Sequence, residues 1–185
     1  VALWIDGEIC GIEERAGNRH GELVLPMLER LAASAGIAIP ALDAVAFGAG
    51  PGSFTGLRIA CGVAQGIAFA RGLPVIGIST LEAIAEESGA ARVVACLDAR
   101  MHEVYYAALE KVAGRWREII AAQCVAPAQA PLPPGTGWTG CGNGFAAYGD
   151  VFRARFSTMQ AEIHPSAMAI ARLAAPRLAA GEGVD

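Results

Sequence analysis

The sequence predicts an α/β protein, in which short apolar strands alternate with helices. Three observations support this class. Residues 44–47 are apolar throughout, as in a strand that is buried on both faces of a parallel sheet. A glycine-rich elbow at 48–52 leads into a helical segment, 56–70, whose only formal charge is Arg58. Further along, short apolar runs between 93 and 120 are typical of an antiparallel meander.

The chain opens with a predicted β-hairpin over residues 1–14. Apolar residues alternate on both sides of Asp6-Gly7, a dipeptide that favours a tight turn between strands. The strand at 44–47 is then expected to pair in parallel with an earlier strand through a right-handed helical crossover.

A helix over residues 20–35 provides that crossover, and Gly36 is its natural end. Its apolar face carries Leu23, Met27 and Leu31. Pro26 lies early in the segment, so either the first turn is kinked or the helix begins at Leu25.

The elbow has the composition of an anion-binding loop. Its glycines allow a sharp turn and let another molecule come close to the backbone. Ser53 or Thr55 can cap a helix that starts near Gly56. Free amides and the helix dipole favour a negative charge there, so Gly50, Gly52, Ser53 and Thr55 form a candidate phosphate loop. The alternative is a purely structural elbow, because the sequence lacks the lysine of a Walker A loop and the spacing of a dinucleotide fingerprint.

The helix after the elbow is apolar all round and must be covered on every side. It is shorter than the roughly 20 residues that span a bilayer. Two stripes of small residues run along it: Gly56, Ala60, Ala64 and Ala68, and then Gly62 and Gly66. The first stripe allows a second helix to come close, in this chain or in another one. The candidate partner interface therefore comprises Leu23, Met27, Leu31, Arg58, Ala60, Ala64, Ile67 and Ala68.

A strand over 74–78 and a helix from 79 or 80 to about 87 complete a first half, residues 1–90. The second half covers residues 91–185. Its last helix, 166–180, is expected to pack back on the first half.

The second half opens with three predicted antiparallel strands, at 93–97, 103–109 and 116–120. The Pro- and Ala-rich run 125–135 is expected to form an extended loop or linker. Residues 137–148 are expected to hold one more strand, its exit turn and a short helix.

The composition favours a protein that buries surface in a complex. A hydrophobic content of 54% with 17% charged residues is high for a soluble monomer. A net charge of −4 argues against binding of nucleic acid by this chain alone. The five cysteines form no CxxC pair and fit reduced, mostly buried thiols. No secretory signal or membrane span is visible, so we expect a cytoplasmic protein with no membrane partner.

Three stretches of the sequence are distinctive: GAGPGSFTGLRIA at 48–60, LPVIGISTLEAIA at 73–85 and LDARMHEVYYA at 97–107. Together they closely resemble the bacterial TsaB family, also called YeaZ, of tRNA threonylcarbamoyladenosine biosynthesis. A weaker echo follows at Pro165-Ser166-Ala167. The resemblance implies an actin/Hsp70-like (ribonuclease H-like) fold of two similar halves, each a mixed sheet flanked by helices. It also implies a non-catalytic partner of the metal-dependent paralogue TsaD.

The leading hypothesis from this resemblance is a scaffold subunit. It would form a heterodimer with TsaD, or a homodimer when alone, and act with TsaE. The complex would add threonylcarbamoyl to the adenosine beside the anticodon of tRNAs that read codons starting with A, and the chain would meet tRNA only through the complex. No cofactor is required, and ATP or ADP would bind at the partner interface. The alternatives are a weak nucleotide-binding ATPase that uses the elbow, and a stand-alone module for an unknown ligand.

Two groups of polar residues are candidates for functional sites, a histidine metal site and a charged cluster at a turn. TsaD enzymes hold their metal with a pair of histidines at helical spacing, whereas His20 is followed four residues later by Val24, so no metal site is expected. Asp98, Arg100 and Glu103 cluster at a predicted hairpin turn, where they either orient a ligand or partner or are simply turn residues.

The resemblance also predicts that the sequence is a fragment. The chain begins without methionine at Val1, inside the hairpin, whereas family members have a strand before it. A nucleotide site that used the turn after that strand is therefore in doubt.

Overall fold

The computed structural model describes residues 1–14, 17 and 19–184, which divide into two compact units. The first unit joins Val1–Ser79 to Ser166–Asp185, and the second is Thr80–Pro165. The sequence predicts the division at residue 90, which would assign the helix near residue 80 to the first half. The structure assigns it to the second unit, because it packs against the sheet there.

The first unit begins with the predicted hairpin of β1 (Ala2–Ile5) and β2 (Glu8–Gly11). Asp6 and Gly7 both have positive φ, at 50° and 93°, as a two-residue type I′ turn requires. The helix α1 (His20–Ser34) follows and keeps its helical course through Pro26. It therefore begins five residues before Leu25, the alternative start, so the longer of the two predicted helices is the one that forms.

The strands β3 (Val45–Gly50) and β4 (Val75–Ser79) pair in parallel. The prediction that β3 pairs with an earlier strand is wrong, because β1 and β2 pair only with each other among the described residues. The prediction that this strand is buried on both faces is also wrong. Its residues 45–48 are half-buried, since it has a single strand neighbour in the described chain.

Two further helices complete the first unit. α2 (Phe54–Arg71) connects β3 to β4 and ends at Gly72, which has a φ of 63°. α6 (Ala167–Ala179) packs against β1, β2, β3 and β4, and the Ser166 hydroxyl caps it by accepting a hydrogen bond from the Ala169 amide at 2.9 Å. Among the described residues, no helix has both the length and the apolar character needed to cross a membrane.

The second unit is built on a five-stranded mixed sheet in the order β7-β6-β5-β8-β9. The predicted meander is confirmed, although each strand is longer than predicted. The strands are β5 (Arg92–Arg100), β6 (Glu103–Val112), β7 (Arg115–Val125), β8 (Thr139–Cys141) and β9 (Thr158–Gln160). β8 is parallel to β5 and to β9. β9 is not predicted from the sequence, because three residues are too few for a recognisable alternation.

Helices α3 (Thr80–Ser88), α4 (Asn143–Ala147) and α5 (Gly149–Phe152) flank this sheet or its connections. Alternate residues of β5 enter two apolar clusters. Val94 and Cys96 belong to one cluster, and Val93 and Ala95 belong to the other. The sheet of the second unit is therefore covered by apolar side chains on both faces.

The Pro-rich run is not a linker between the units but a fixed loop inside the second one. It contains a 3₁₀ turn, Pro127–Gln129. Three side chains donate hydrogen bonds to its carbonyl groups, and a fourth donates to the residue that follows it, Thr136. The donors are Arg155 to Pro127 (3.1 Å) and to Ala130, Tyr106 to Pro131 (2.7 Å), Trp138 to Pro134 (3.0 Å) and Arg92 to Thr136 (3.1 Å). Proline provides no amide hydrogen, so side chains supply the donors that fix this segment.

All five cysteines are free thiols, but fewer are buried than predicted. Cys96 and Cys141 are buried, Cys61 is half-buried, and Cys10 and Cys124 are exposed. Burial raises the pKa of the Cys96 thiol to about 12 and that of Cys141 to about 11, so both stay protonated at neutral pH.

Candidate functional site

The elbow between β3 and α2 contains two glycines with different roles. Gly50 has a φ of +103°, and a Cβ atom there would lie 3.1 Å from Leu57 Cδ1, so the turn itself requires glycine. Gly52 lies outside the left-handed region, and a Cβ atom there would meet nothing within 4 Å. Open space therefore lies over Gly52, and another molecule can approach the backbone at this point.

The helix α2 begins at Phe54, two residues before the predicted start. Ser53 is its N-cap, since the Ser53 hydroxyl accepts a hydrogen bond from the Gly56 amide at 3.4 Å. Thr55, the alternative cap, lies exposed in the first turn. This turn contains no acidic residue, and Arg58 is exposed close to it. The charge distribution at the elbow thus suits an anion.

Half of the predicted partner interface is buried inside the first unit. α1 packs against α2, and four predicted contact residues are nearly inaccessible: Met27, Leu31, Ala64 and Ala68. These four predictions are corrected, because side chains already covered by their own unit cannot also contact a partner. Leu23, Ala60 and Ile67 are half-buried, and Arg58 alone among the eight is exposed.

The opposite side of α2 is exposed along the whole helix. We call Phe54, Arg58, Gly62, Gly66 and Phe69 the outer face of α2. Phe69 is 92% exposed and Phe54 is 67% exposed, and the Arg58 guanidinium lies 3.6 Å from the centroid of the Phe54 ring. The predicted stripe of Gly62 and Gly66 lies on this face. Neither phenylalanine is among the predicted contact residues, although their spacing along the helix places both on the same side.

The glycines of the outer face have no explanation within the described chain. A Cβ atom at Gly62 or Gly66 would meet nothing within 4 Å, and neither residue has a positive φ. Glycine in a helix interior costs about 1 kcal/mol relative to alanine. Such a cost is offset where a second surface packs closely on the bare helix backbone, and a large exposed aromatic ring beside it provides an anchor for that surface.

The predicted charged cluster in the second unit forms only in part. One Asp98 carboxylate oxygen accepts hydrogen bonds from the Arg100 amide at 2.9 Å and from the Tyr148 hydroxyl at 3.4 Å, and the other lies 3.2 Å from the Arg100 guanidinium. Asn143 accepts a hydrogen bond from the Asp98 amide at 3.0 Å. Glu103 does not join this cluster, because its carboxylate faces the Cys124 thiol instead.

This cluster fixes the turn between β5 and β6. Arg100, Met101 and His102 are consecutive non-glycine residues with positive φ, a conformation that needs support from its surroundings. Asp98 provides that support by connecting the turn to Tyr148. Partial burial, followed by the charge of Asp98, raises the pKa of the Tyr148 hydroxyl, which therefore remains a donor. The hydrogen bonds account for these polar residues as turn residues.

No group of three or more His, Cys, Asp or Glu side chains that could hold a metal ion lies together in residues 1–14, 17 and 19–184. His20 begins α1 and is exposed. His164 is exposed as well, and its Nδ1 lies 3.1 Å from the Glu162 carbonyl oxygen.

Known proteins are similar to this chain in both sequence and fold. A family model described as TsaD, tRNA N6-adenosine threonylcarbamoyltransferase, matches residues 12–181. The TsaB protein of Haemophilus influenzae, named as a tRNA threonylcarbamoyladenosine biosynthesis protein, is 44% identical over 158 residues, 75% of this chain and 67% of that protein. The TsaB protein of Escherichia coli is 44% identical over 115 residues, 60% of this chain and 50% of that protein.

The solved structures agree with these matches. The structure of YeaZ from Pseudomonas aeruginosa superposes with a TM-score of 0.94 at 38% identity, covering 100% of this chain and 88% of that one. A second structure, described as an uncharacterized protein with similarity to the peptidase YeaZ, superposes equally well at 37% identity, over 99% of this chain and 88% of that one. The fold and the matched model define an actin-like α/β protein with a TsaD-type domain. The chain belongs to the TsaB (YeaZ) family, which confirms the resemblance noted in the sequence.

Proposed function

We propose that this chain is a non-catalytic subunit in tRNA threonylcarbamoyladenosine biosynthesis and that it binds the catalytic subunit TsaD. The names of its relatives support the process. The outer face of α2 is the observation that carries the binding role. It combines two exposed phenylalanine rings with two glycines that leave the helix backbone open to a partner.

A TsaD subunit suits this surface because the two chains share a fold. The TsaD family model matches residues 12–181, so we expect TsaD to contain a helix equivalent to α2. Related chains can pair through equivalent surfaces about an approximate two-fold axis. Phe69 would enter an apolar pocket of the partner, while Gly62 and Gly66 let the helices approach closely. In the absence of TsaD, a second copy would take its place and form a homodimer.

The remaining parts of the assembly follow from the same proposal. A net charge of −4 disfavours direct tRNA binding, so other subunits would hold the tRNA. TsaE would join the complex in the cytoplasm. The reaction served would be the transfer of threonylcarbamoyl to the adenosine beside the anticodon of tRNAs that read codons starting with A.

The test is association of this chain with TsaD from the same source, measured by size-exclusion chromatography with light scattering. Gly66→Leu adds a side chain to the outer face where the chain itself leaves open space. We expect this variant to stay folded, with an unchanged or higher melting temperature, and to bind TsaD roughly tenfold more weakly or worse. Phe69→Ala should weaken binding by a similar factor.

The matched control is Ala179→Leu, which places the same side chain at an exposed position of α6 in the same unit. It should bind TsaD like the wild type. Normal binding by both Gly66→Leu and Phe69→Ala would place the TsaD contact elsewhere. Ala64→Glu is unsuitable as a test, because Ala64 is buried and the charge would unfold the unit.

A second candidate function is nucleotide binding at the elbow, with ATP or ADP at the partner interface. The open space over Gly52, the exposed Thr55 hydroxyl and the exposed Arg58 favour it. Gly52→Val should fold, since nothing lies within 4 Å of the added Cβ, and it should block the approach of a phosphate group.

The experiment compares the wild type with Gly52→Val in the presence of ATP and Mg²⁺. If the elbow binds nucleotide, ATP raises the apparent melting temperature of the wild type only. Hydrolysis above the rate of Gly52→Val would support the ATPase alternative. Equal melting temperatures and equal rates, both with and without TsaD, would end the nucleotide proposal and leave the TsaD proposal intact.

A further inference from the structure

We draw no further inference here: the strongest candidate, the outer edge of β7 along its uncharged run 119–125 in the second unit, is an unpartnered strand edge in the described part of the chain, and nothing in the structure shows what covers it.

Discussion

The second unit encloses its phenylalanine side chains, whereas the first unit leaves two of them on its surface. Phe145, Phe152 and Phe156 pack against one another with ring centroids 4.7 to 6.2 Å apart, and all three are buried. Phe54 and Phe69 lie exposed on the outer face of α2. The same residue type therefore forms a core in one unit and an open surface in the other.

The apolar strands of the two units differ in burial as well. β5 lies between β6 and β8, and its residues Val93 to Cys96 are fully buried. β3 is a comparable apolar run, but it is half-buried and pairs only with β4 in the described chain. Hydrophobicity therefore limits how much of a segment's surface can be buried. The strands and helices that pack against the segment determine how much of it is buried. The described part of the first unit thus leaves more apolar surface exposed than the second unit does.

The largest expected effect on stability comes from replacing a buried phenylalanine of the second unit, and an exposed phenylalanine of the first unit provides the comparison. Phe152→Ala empties a fully buried site in the second unit and should lower the free energy of unfolding by about 3–5 kcal/mol. Phe69→Ala should change it by about 0.5 kcal/mol or less, because the ring is exposed. Both values are measured by denaturant unfolding of the isolated chain. A similar loss for Phe69→Ala would mean that this ring packs within the chain.

Replacing one glycine in each unit with alanine tests the same difference between a closely packed and an open environment. Gly142 has a φ of +106°, and a Cβ atom there would lie 2.4 Å from the Cys96 carbonyl oxygen. Gly142→Ala should therefore cost about 1–3 kcal/mol, again by denaturant unfolding. Gly52→Ala in the first unit, where the space is open, serves as the control and should stay within about 0.5 kcal/mol of the wild type. A tolerated Gly142→Ala would mean that the turn after β8 can move away from β5.

Much of the fold could be predicted from the sequence because local signals agree there. The turn at Asp6-Gly7, the N-cap at Ser166 and Gly36 after α1 each have a specific backbone role, and each ends or begins an element where the sequence predicts it. Strand boundaries were less accurate. β5, β6 and β7 extend past their apolar runs, since cross-strand hydrogen bonding continues through polar residues.

The orientation of α2 could not be predicted for a physical reason. Small and apolar residues occupy every side of this helix, and Arg58 is the only charged residue within 56–70, so the sequence gives too little contrast to distinguish the buried side from the exposed one. The side carrying Ala64 and Ala68 faces the unit, and the side carrying Gly62 and Gly66 faces outward. Pairing of β3 was likewise beyond local sequence, because it depends on contacts between distant segments.

A glycine-to-alanine substitution on the outer face of α2 is expected to have a smaller effect on stability, and to increase it. Gly62→Ala should raise the free energy of unfolding by about 0.5–1 kcal/mol, because alanine favours the helix and meets no neighbour. Gly72→Ala, at the end of the same helix, should lower it by about 1 kcal/mol, since Gly72 has a φ of 63°. Thermal unfolding of both variants measures the two signs. A destabilised Gly62→Ala would mean that glycine at this position already serves a contact within the chain.

The smallest expected effect concerns an ion-pair network on the sheet of the second unit. Glu110 lies 2.8 Å from Arg92 Nε and 2.7 Å from Arg117 Nη2, and the hydrogen bonds from Arg117 and Arg92 lower the pKa of Glu110 below its ordinary value of 4.5. Because the folded-state pKa is lowered, this stabilisation is complete above pH 4.5 and disappears as the pH falls through the lowered value. Glu110→Gln should therefore lower the melting temperature slightly at neutral pH, and the difference from the wild type should vanish in acid. A difference that persists in acid would show that Glu110 contributes through packing, and not through its charge.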